Sequence, residues 1–159
     1  MNNLNNNDEL QDLYRDLILD HAHNPRNFGR PDEATHTAEG INPLCGDKLH
    51  LYLTIDSDNR IAAAAFEGSG CAISMASASL LTETVKNLPV ADADACFVAV
   101  TKRLTIRSSD SAAIANVDFK ELRALDGVRR YPSRVKCATL AWHALHAAIQ
   151  HPQSTATTE

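Results

Sequence analysis

The sequence predicts an α+β fold, a small antiparallel β-sheet packed against several α-helices, and three observations carry that prediction. Leu49, Leu51, Leu53 and Ile55 alternate with His50, Tyr52 and Thr54, which is the period of a half-buried strand. Asp56-Ser57-Asp58-Asn59 supplies a turn before a second run, Ile61 to Phe66, so the two runs read as a hairpin. Long stretches on both sides instead repeat apolar residues at helical spacing. Strands grouped together and helices grouped around them argue for α+β rather than alternating α/β.

The elements follow in order. Residues 1–9 are polar and Asn-rich and read as a disordered tail, and the folded domain is expected over 10–150. Asp8-Glu9-Leu10-Gln11 has the spacing of a capping box. Leu10, Leu13, Tyr14, Leu17, Ile18 and His21 then share one helical face, and Asn24-Pro25 ends that helix. A weak first strand is expected over 35–42, before the hairpin. The second hairpin strand is mostly alanine, which predicts that something approaches its surface closely. After Gly68-Ser69-Gly70, a helix is expected from Cys71 to Leu88, stopped by Asn87 and Pro89. Asp92 is placed to cap a third helix in which Ala93, Cys96, Phe97, Val100 and Leu104 recur. Residues 105–117 read as a loop, and Asp118 to Leu125 as a short helix ended by Gly127. Cys137 to Gln150 reads as the last helix, and 151–159 as a disordered Ser/Thr tail.

Composition excludes several function classes. At 159 residues the chain fits one domain, large enough to bury about two-thirds of its unfolded surface without help from a metal. It is 44% hydrophobic and 22% charged, with a net charge of −5 and no basic tract beyond paired arginines, so nucleic acid is not an expected partner. No apolar run is long enough for a bilayer, and the polar start carries no signal-peptide pattern. The expected location is cytoplasmic, where spaced cysteines point to metal or sulfur chemistry rather than disulfides.

That chemistry centres on Cys45-Gly46-Asp47, Cys71 and Cys137. Each cysteine stands beside a signal for an element end: Asn42-Pro43, Gly68-Ser69-Gly70 and Tyr131-Pro132. The hairpin brings Cys45 and Cys71 to its two outer ends, so they are expected to be neighbours. Three thiolates and a carboxylate suit a tetrahedral zinc site and would also serve an iron–sulfur site. Cys71 and Cys137, each read at a helix start, should ionise readily there. Gly68 and Gly70 leave room around Cys71. Asp47, the harder and weaker ligand, is expected to let the site open. Cys45, in a loop left through Gly46, should be the mobile donor. Without a C-x-x-C pair, spacing alone leaves open whether the cysteines bind metal or merely pack. Cys96 falls in an apolar stripe and reads as core. His21, His23, His36 and His50 read as surface or packed residues, and His143 and His146 as solvent-exposed. Trp142 reads as packing or an exposed contact. Arg134 and Lys136 are either solvated or placed to stabilise a thiolate or persulfide.

Longer strings narrow this. Tyr14-Arg15, Leu19-Asp20-His21, Asn24-Pro25-Arg26-Asn27-Phe28-Gly29, Asn42-Pro43-Leu44-Cys45-Gly46-Asp47, Gly68-Ser69-Gly70-Cys71-Ala72-Ile73-Ser74 and Arg134-Val135-Lys136-Cys137-Ala138 resemble the NifU/IscU family of iron–sulfur cluster assembly proteins. The resemblance spans residues 10 to 149 and is greatest to the SufU branch. The interval between Cys71 and Cys137 leaves room for the segment characteristic of that branch. Lys136 stands where IscU-type scaffolds carry a histidine ligand, and their Leu-Pro-Pro-Val-Lys motif is absent. The resemblance implies a SufE/IscU-like fold and zinc held by Cys45, Asp47, Cys71 and Cys137. It implies a zinc-dependent sulfurtransferase that takes persulfide sulfur on Cys45 from a SufS-type, PLP-dependent cysteine desulfurase, Cys45 leaving the zinc when a partner histidine replaces it. Downstream iron–sulfur assembly proteins would receive the sulfur. A scaffold for a transient [2Fe–2S] cluster on the same ligands, and a structural zinc docking domain, are the alternative readings.

Overall fold

The structure, a computed structural model, describes residues 3–105 and 120–158. A four-stranded sheet with the order β3-β2-β1-β4 carries the helices on one face. Its strands are β1 (His36–Asn42), β2 (Asp47–Ile55), β3 (Ile61–Ser69) and β4 (Gln153–Thr157). The helices are α1 (Asn3–His23), α2 (Ala72–Val85), α3 (Val90–Thr105) and α4 (Pro132–Gln150), with a 3-10 segment over Lys120–Arg130.

The hairpin forms as its pattern requires. β2 and β3 pair antiparallel from Lys48↔Ser69 to Ile55↔Ile61. Asp56 organises the turn, its carboxylate accepting from the backbone N–H of Asp58 and Arg60, and Asn59 takes the left-handed conformation at φ 61°. Leu49, Leu51 and Leu53 are buried as the alternation predicts. A register shift between Thr54 and Ile55 breaks the pattern there, and Ile55 is only half-buried. Tyr52, read as outward-facing, is also buried. Its hydroxyl donates to Glu67 at 2.5 Å, and burial pushes its pKa up to about 12.

β3 meets close backbone neighbours at its start, where Ile61 exchanges hydrogen bonds with Leu88 and Asn87, and at Phe66. Gly29 donates to the Phe66 carbonyl at 2.8 Å and Phe66 to the Asn27 carbonyl at 3.0 Å, while Ala62 and Ala63 stay exposed. On the other side of the sheet's centre, β1 packs closely against α4. A Cβ at Gly40 would come within 3.3 Å of the Leu140 side chain, so glycine sets that helix-to-sheet distance. Trp142 of α4 is fully buried, its indole N–H donating to Ser77 Oγ of α2 at 3.1 Å.

Four element expectations are corrected. α1 runs from Asn3, so the capping box at Asp8 does not start it and residues 3–9 are helical rather than tail. The C-terminal residues are not a free tail: β4 pairs parallel to β1 from Thr37↔Gln153 to Ile41↔Thr157. Gly127 does not stop the helical turns over Lys120–Arg130. α4 begins at Pro132, whose fixed φ suits the first helical position, and not at Cys137. The loop read at 105–117 lies outside the described residues beyond Thr105. Among the described residues no helix is long and apolar enough to cross a membrane.

Candidate metal and sulfur site

The hairpin, the start of α2 and the second turn of α4 converge on one cluster. Asn42 pairs with Asp47 across β1 and β2, and the Gly46 N–H closes the intervening turn on the Asn42 carbonyl at 2.9 Å. Gly46 sits at φ 73°, a conformation that glycine adopts without penalty, and the turn presents Cys45 exposed at its tip. Cys71 is the N-cap residue of α2, as expected, and is also exposed. Cys137 reaches the cluster from α4 and is buried.

The donors are close together. Cys45 Sγ lies 3.3 Å from Cys137 Sγ, and Cys71 Sγ 3.9 Å from Asp47 Oδ2. One ligand atom each from Cys45, Asp47 and Cys137 fall within 4.8 Å of one another. Zinc bond lengths of 2.0–2.3 Å at tetrahedral angles put neighbouring donors roughly 3.5–3.8 Å apart, so the four donors fit zinc in chemistry, and Cys45, Asp47 and Cys137 come near that spacing. Cys71 stands outside that trio and meets it at Asp47.

Asp47 is not the loose donor its hardness suggested. It is 1% exposed. Its Oδ1 accepts from the Cys71 N–H at 2.9 Å, and its Oδ2 from the Ser74 hydroxyl at 2.6 Å. Gly70 is part of this clamp, since a Cβ there would stand 2.8 Å from Oδ1. Cys45 is exposed at the tip of a glycine-closed turn, and Cys71, also exposed, is tied to Asp47 through its N–H.

Cys137 also departs from expectation. Because α4 starts five residues earlier, the free N–H groups of its first turn are not at the thiol. Burial dominates and pushes the thiol pKa far up, with hydrogen bonds to Cys45, Asp47 and Cys71 acting in the same direction. A bound cation would favour the thiolate that burial disfavours.

Two site residues were missed. Ser74, fully buried, touches Cys71 Sγ at 3.6 Å and the Cys137 carbonyl at 3.3 Å besides holding Asp47. Asn42, also fully buried, donates from Nδ2 to Cys137 Sγ at 3.5 Å. Both stand inside the cysteine motifs, but Ser74 reads as a helix residue and Asn42 as a turn former. Their roles depend on partners 63 and 95 positions away.

The remaining residues sort clearly. Cys96 is buried in the core, and burial raises its thiol pKa. Arg134 lies over the Tyr131 ring at 5.9 Å, and Lys136 is half-buried one residue before Cys137. His21 is buried with Nδ1 2.7 Å from Ser79 Oγ, and desolvation lowers its pKa. His143 and His146 are not simply solvated. Both pack on Phe97 of α3, and His146 Nδ1 is 2.6 Å from Asp94.

Gly70→Ala is expected to weaken zinc binding 10- to 100-fold, the usual cost of disturbing a ligand's outer partners, while the fold survives. The added methyl would crowd Asp47 Oδ1, the atom that accepts from the Cys71 N–H. Chelator competition beside a thermal melt would measure both, and unchanged affinity would remove Gly70 and the Asp47 clamp from the site.

Comparison with known proteins identifies the family. A family model, the NifU-like N-terminal domain, matches residues 13–158, which includes β4. The zinc-dependent sulfurtransferase SufU of Bacillus subtilis (strain 168) is 37% identical over 143 residues, covering 90% of this chain and 93% of that protein. The iron–sulfur cluster assembly scaffold protein IscU of Thermotoga maritima is 36% identical over 138 residues, covering 87% and 93%. A crystal structure of a candidate SUF-system iron–sulfur scaffold from Fervidobacterium islandicum AW-1 superposes with a TM-score of 0.73 at 28% identity, covering 84% of this chain and 93% of that one. The chain belongs to the NifU-like N-terminal domain family.

Proposed function

We propose that this family member is a zinc-dependent sulfur acceptor in iron–sulfur cluster assembly, taking persulfide sulfur from a SufS-type cysteine desulfurase. The observation that carries the reading is the asymmetry among the four donors: Asp47 and Cys137 are buried, Cys71 is exposed but tied to Asp47 through its N–H, and Cys45 is exposed on a closed turn. The name of the Bacillus subtilis relative, and Lys136 before Cys137, support the sulfurtransferase branch.

Cys45, Asp47, Cys71 and Cys137 would hold the zinc. When bound, zinc supplies the positive charge that keeps the thiols deprotonated and shields them from stray oxidation. The chain's own residues do the rest. Asp47, Cys71 and Cys137 fix the base of the site through Ser74 and the start of α2. Cys45, presented to solvent, attacks the outer sulfur of the donor's persulfide. A new S–S bond forms on Cys45, the donor's S–S bond breaks, and the donor cysteine leaves as a thiolate.

The name of the Thermotoga maritima relative supports the second reading, a scaffold carrying a transient [2Fe–2S] cluster on the same donors. Metal analysis separates the two. Protein isolated anaerobically without added iron is expected to be colourless with one zinc per chain. Zinc should fall sharply in Cys45→Ser, Cys71→Ser and Cys137→Ser and persist in Cys96→Ser, and the parent should stimulate a cysteine desulfurase. A stable brown protein with stoichiometric iron would favour the scaffold, and full zinc in all three variants would overturn the shared site.

A further inference from the structure

We propose that Asn42 is a positioning residue for this site: its buried amide holds the Cys137 sulfur as a fixed donor while its backbone closes the loop that presents Cys45. This inference rests on the reading of the cluster as a zinc and sulfur site. Three observations meet in the one residue. Nδ2 points at Cys137 Sγ at 3.5 Å, across 95 positions of sequence. The Asn42 carbonyl accepts from Gly46 at 2.9 Å, so Cys45 lies within the turn that Asn42 closes. Asn42 is also the strand partner of Asp47.

The amide is placed for its donor rather than for packing. Asn42 is fully buried, and its Oδ1 has no hydrogen-bond partner among the described residues. Most buried side-chain polar atoms are paired, so an amide with one end unpaired calls for an explanation. Here the satisfied end is the N–H directed at sulfur. An N–H donor stabilises negative charge on the sulfur it faces and reduces that sulfur's electron density. Cys137 is thereby favoured as a metal ligand and disfavoured as an attacking nucleophile. Among the described residues the contact to Cys45 Sγ is from Cys137 Sγ, with no amide donor on it. The two neighbouring sulfurs are therefore unequal, and the inequality directs incoming sulfur to Cys45.

Asn42→Asp tests this, because it keeps the shape and the backbone turn but replaces the donor by an acceptor. Asn42→Ala removes the contact altogether. In the full chain, zinc affinity by chelator competition is expected to fall 10- to 100-fold in both, the range for loss of a ligand's outer partner. In the cobalt-substituted protein the sulfur-to-metal charge-transfer band should move to lower energy. After incubation with desulfurase and L-cysteine, part of the sulfur adduct should appear on Cys137, where the parent carries it on Cys45. Folded variants with unchanged affinity, band and adduct position would overturn the proposal. Should both variants fail to fold, NMR of the parent decides. Loaded with a magnetically active cadmium isotope, the Asn42 side-chain amide protons should couple to the metal through the Cys137 sulfur, and absence of coupling overturns the proposal. A parent that takes up no sulfur defeats the proposed function instead, and leaves the affinity, band and coupling results to judge Asn42.

Discussion

Cys45→Ser is expected to lose sulfur uptake entirely. Incubated with a cysteine desulfurase and L-cysteine, the parent should gain an adduct of roughly +32 Da, one sulfur atom, mapped by mass spectrometry to Cys45. The serine variant should gain none there. The expectation comes from access and chemistry together. Cys45 is exposed, whereas Cys137 is buried with its thiol pKa pushed far up by desolvation. Cys71 is exposed too, but it is fixed at the start of α2 by its N–H bond to Asp47. A serine hydroxyl does not ionise near neutral pH and cannot form the S–S bond that transfer requires. Zinc loss alone could also lower activity, so the adduct position in the parent is the deciding measurement. An adduct mainly on Cys71 or Cys137, or undiminished uptake by Cys45→Ser, would show that the acceptor lies elsewhere.

Trp142→Ala should cost about 3–5 kcal/mol of stability, the usual range for emptying a large buried aromatic site. Domains of this kind have only about 5–15 kcal/mol in total, so the variant is expected to be marginal or unfolded. Trp142 is fully buried and stands among the largest side chains of the core. Its indole N–H meets Ser77, whose hydroxyl in turn donates to the Ala138 carbonyl at 2.5 Å, tying α2 to α4 one residue after Cys137. Trp142→Phe keeps most of the ring volume and should cost far less, because Ser77 retains its bond to Ala138. At roughly 2–4 °C per kcal/mol for chains of this size, the alanine variant should melt at least about 6 °C lower. A melting temperature within about a degree of the parent would mean that Trp142 does not hold the α2–α4 contact.

Much of this protein was legible in the chain itself, where the signals are local. The hairpin follows from alternation and an Asp-rich turn, α2 from helical spacing after Gly68-Ser69-Gly70, and the Cys45–Asp47 loop from its proline and glycine. The same strings carry the family. The meeting of Cys71 with Asp47, two residues after Cys45, follows because a hairpin brings its outer ends together. Tertiary structure alone decided the rest. β4 is Gln-Ser-Thr-Ala-Thr, with no apolar alternation to mark it, and it is a strand only because β1 offers a free edge. α4 starts at Pro132, which moves Cys137 from a helix end into a buried turn and reverses the expected ease of ionising it. Asp47 seemed the yielding ligand by its chemistry, yet Ser74, Cys71 and Gly70 enclose it. Asn42 and Ser74 belong to the site through contacts many tens of residues away in sequence. Periodicity and capping report what a segment does with its own neighbours, whereas burial and hydrogen-bond partners depend on which distant segments the fold brings alongside.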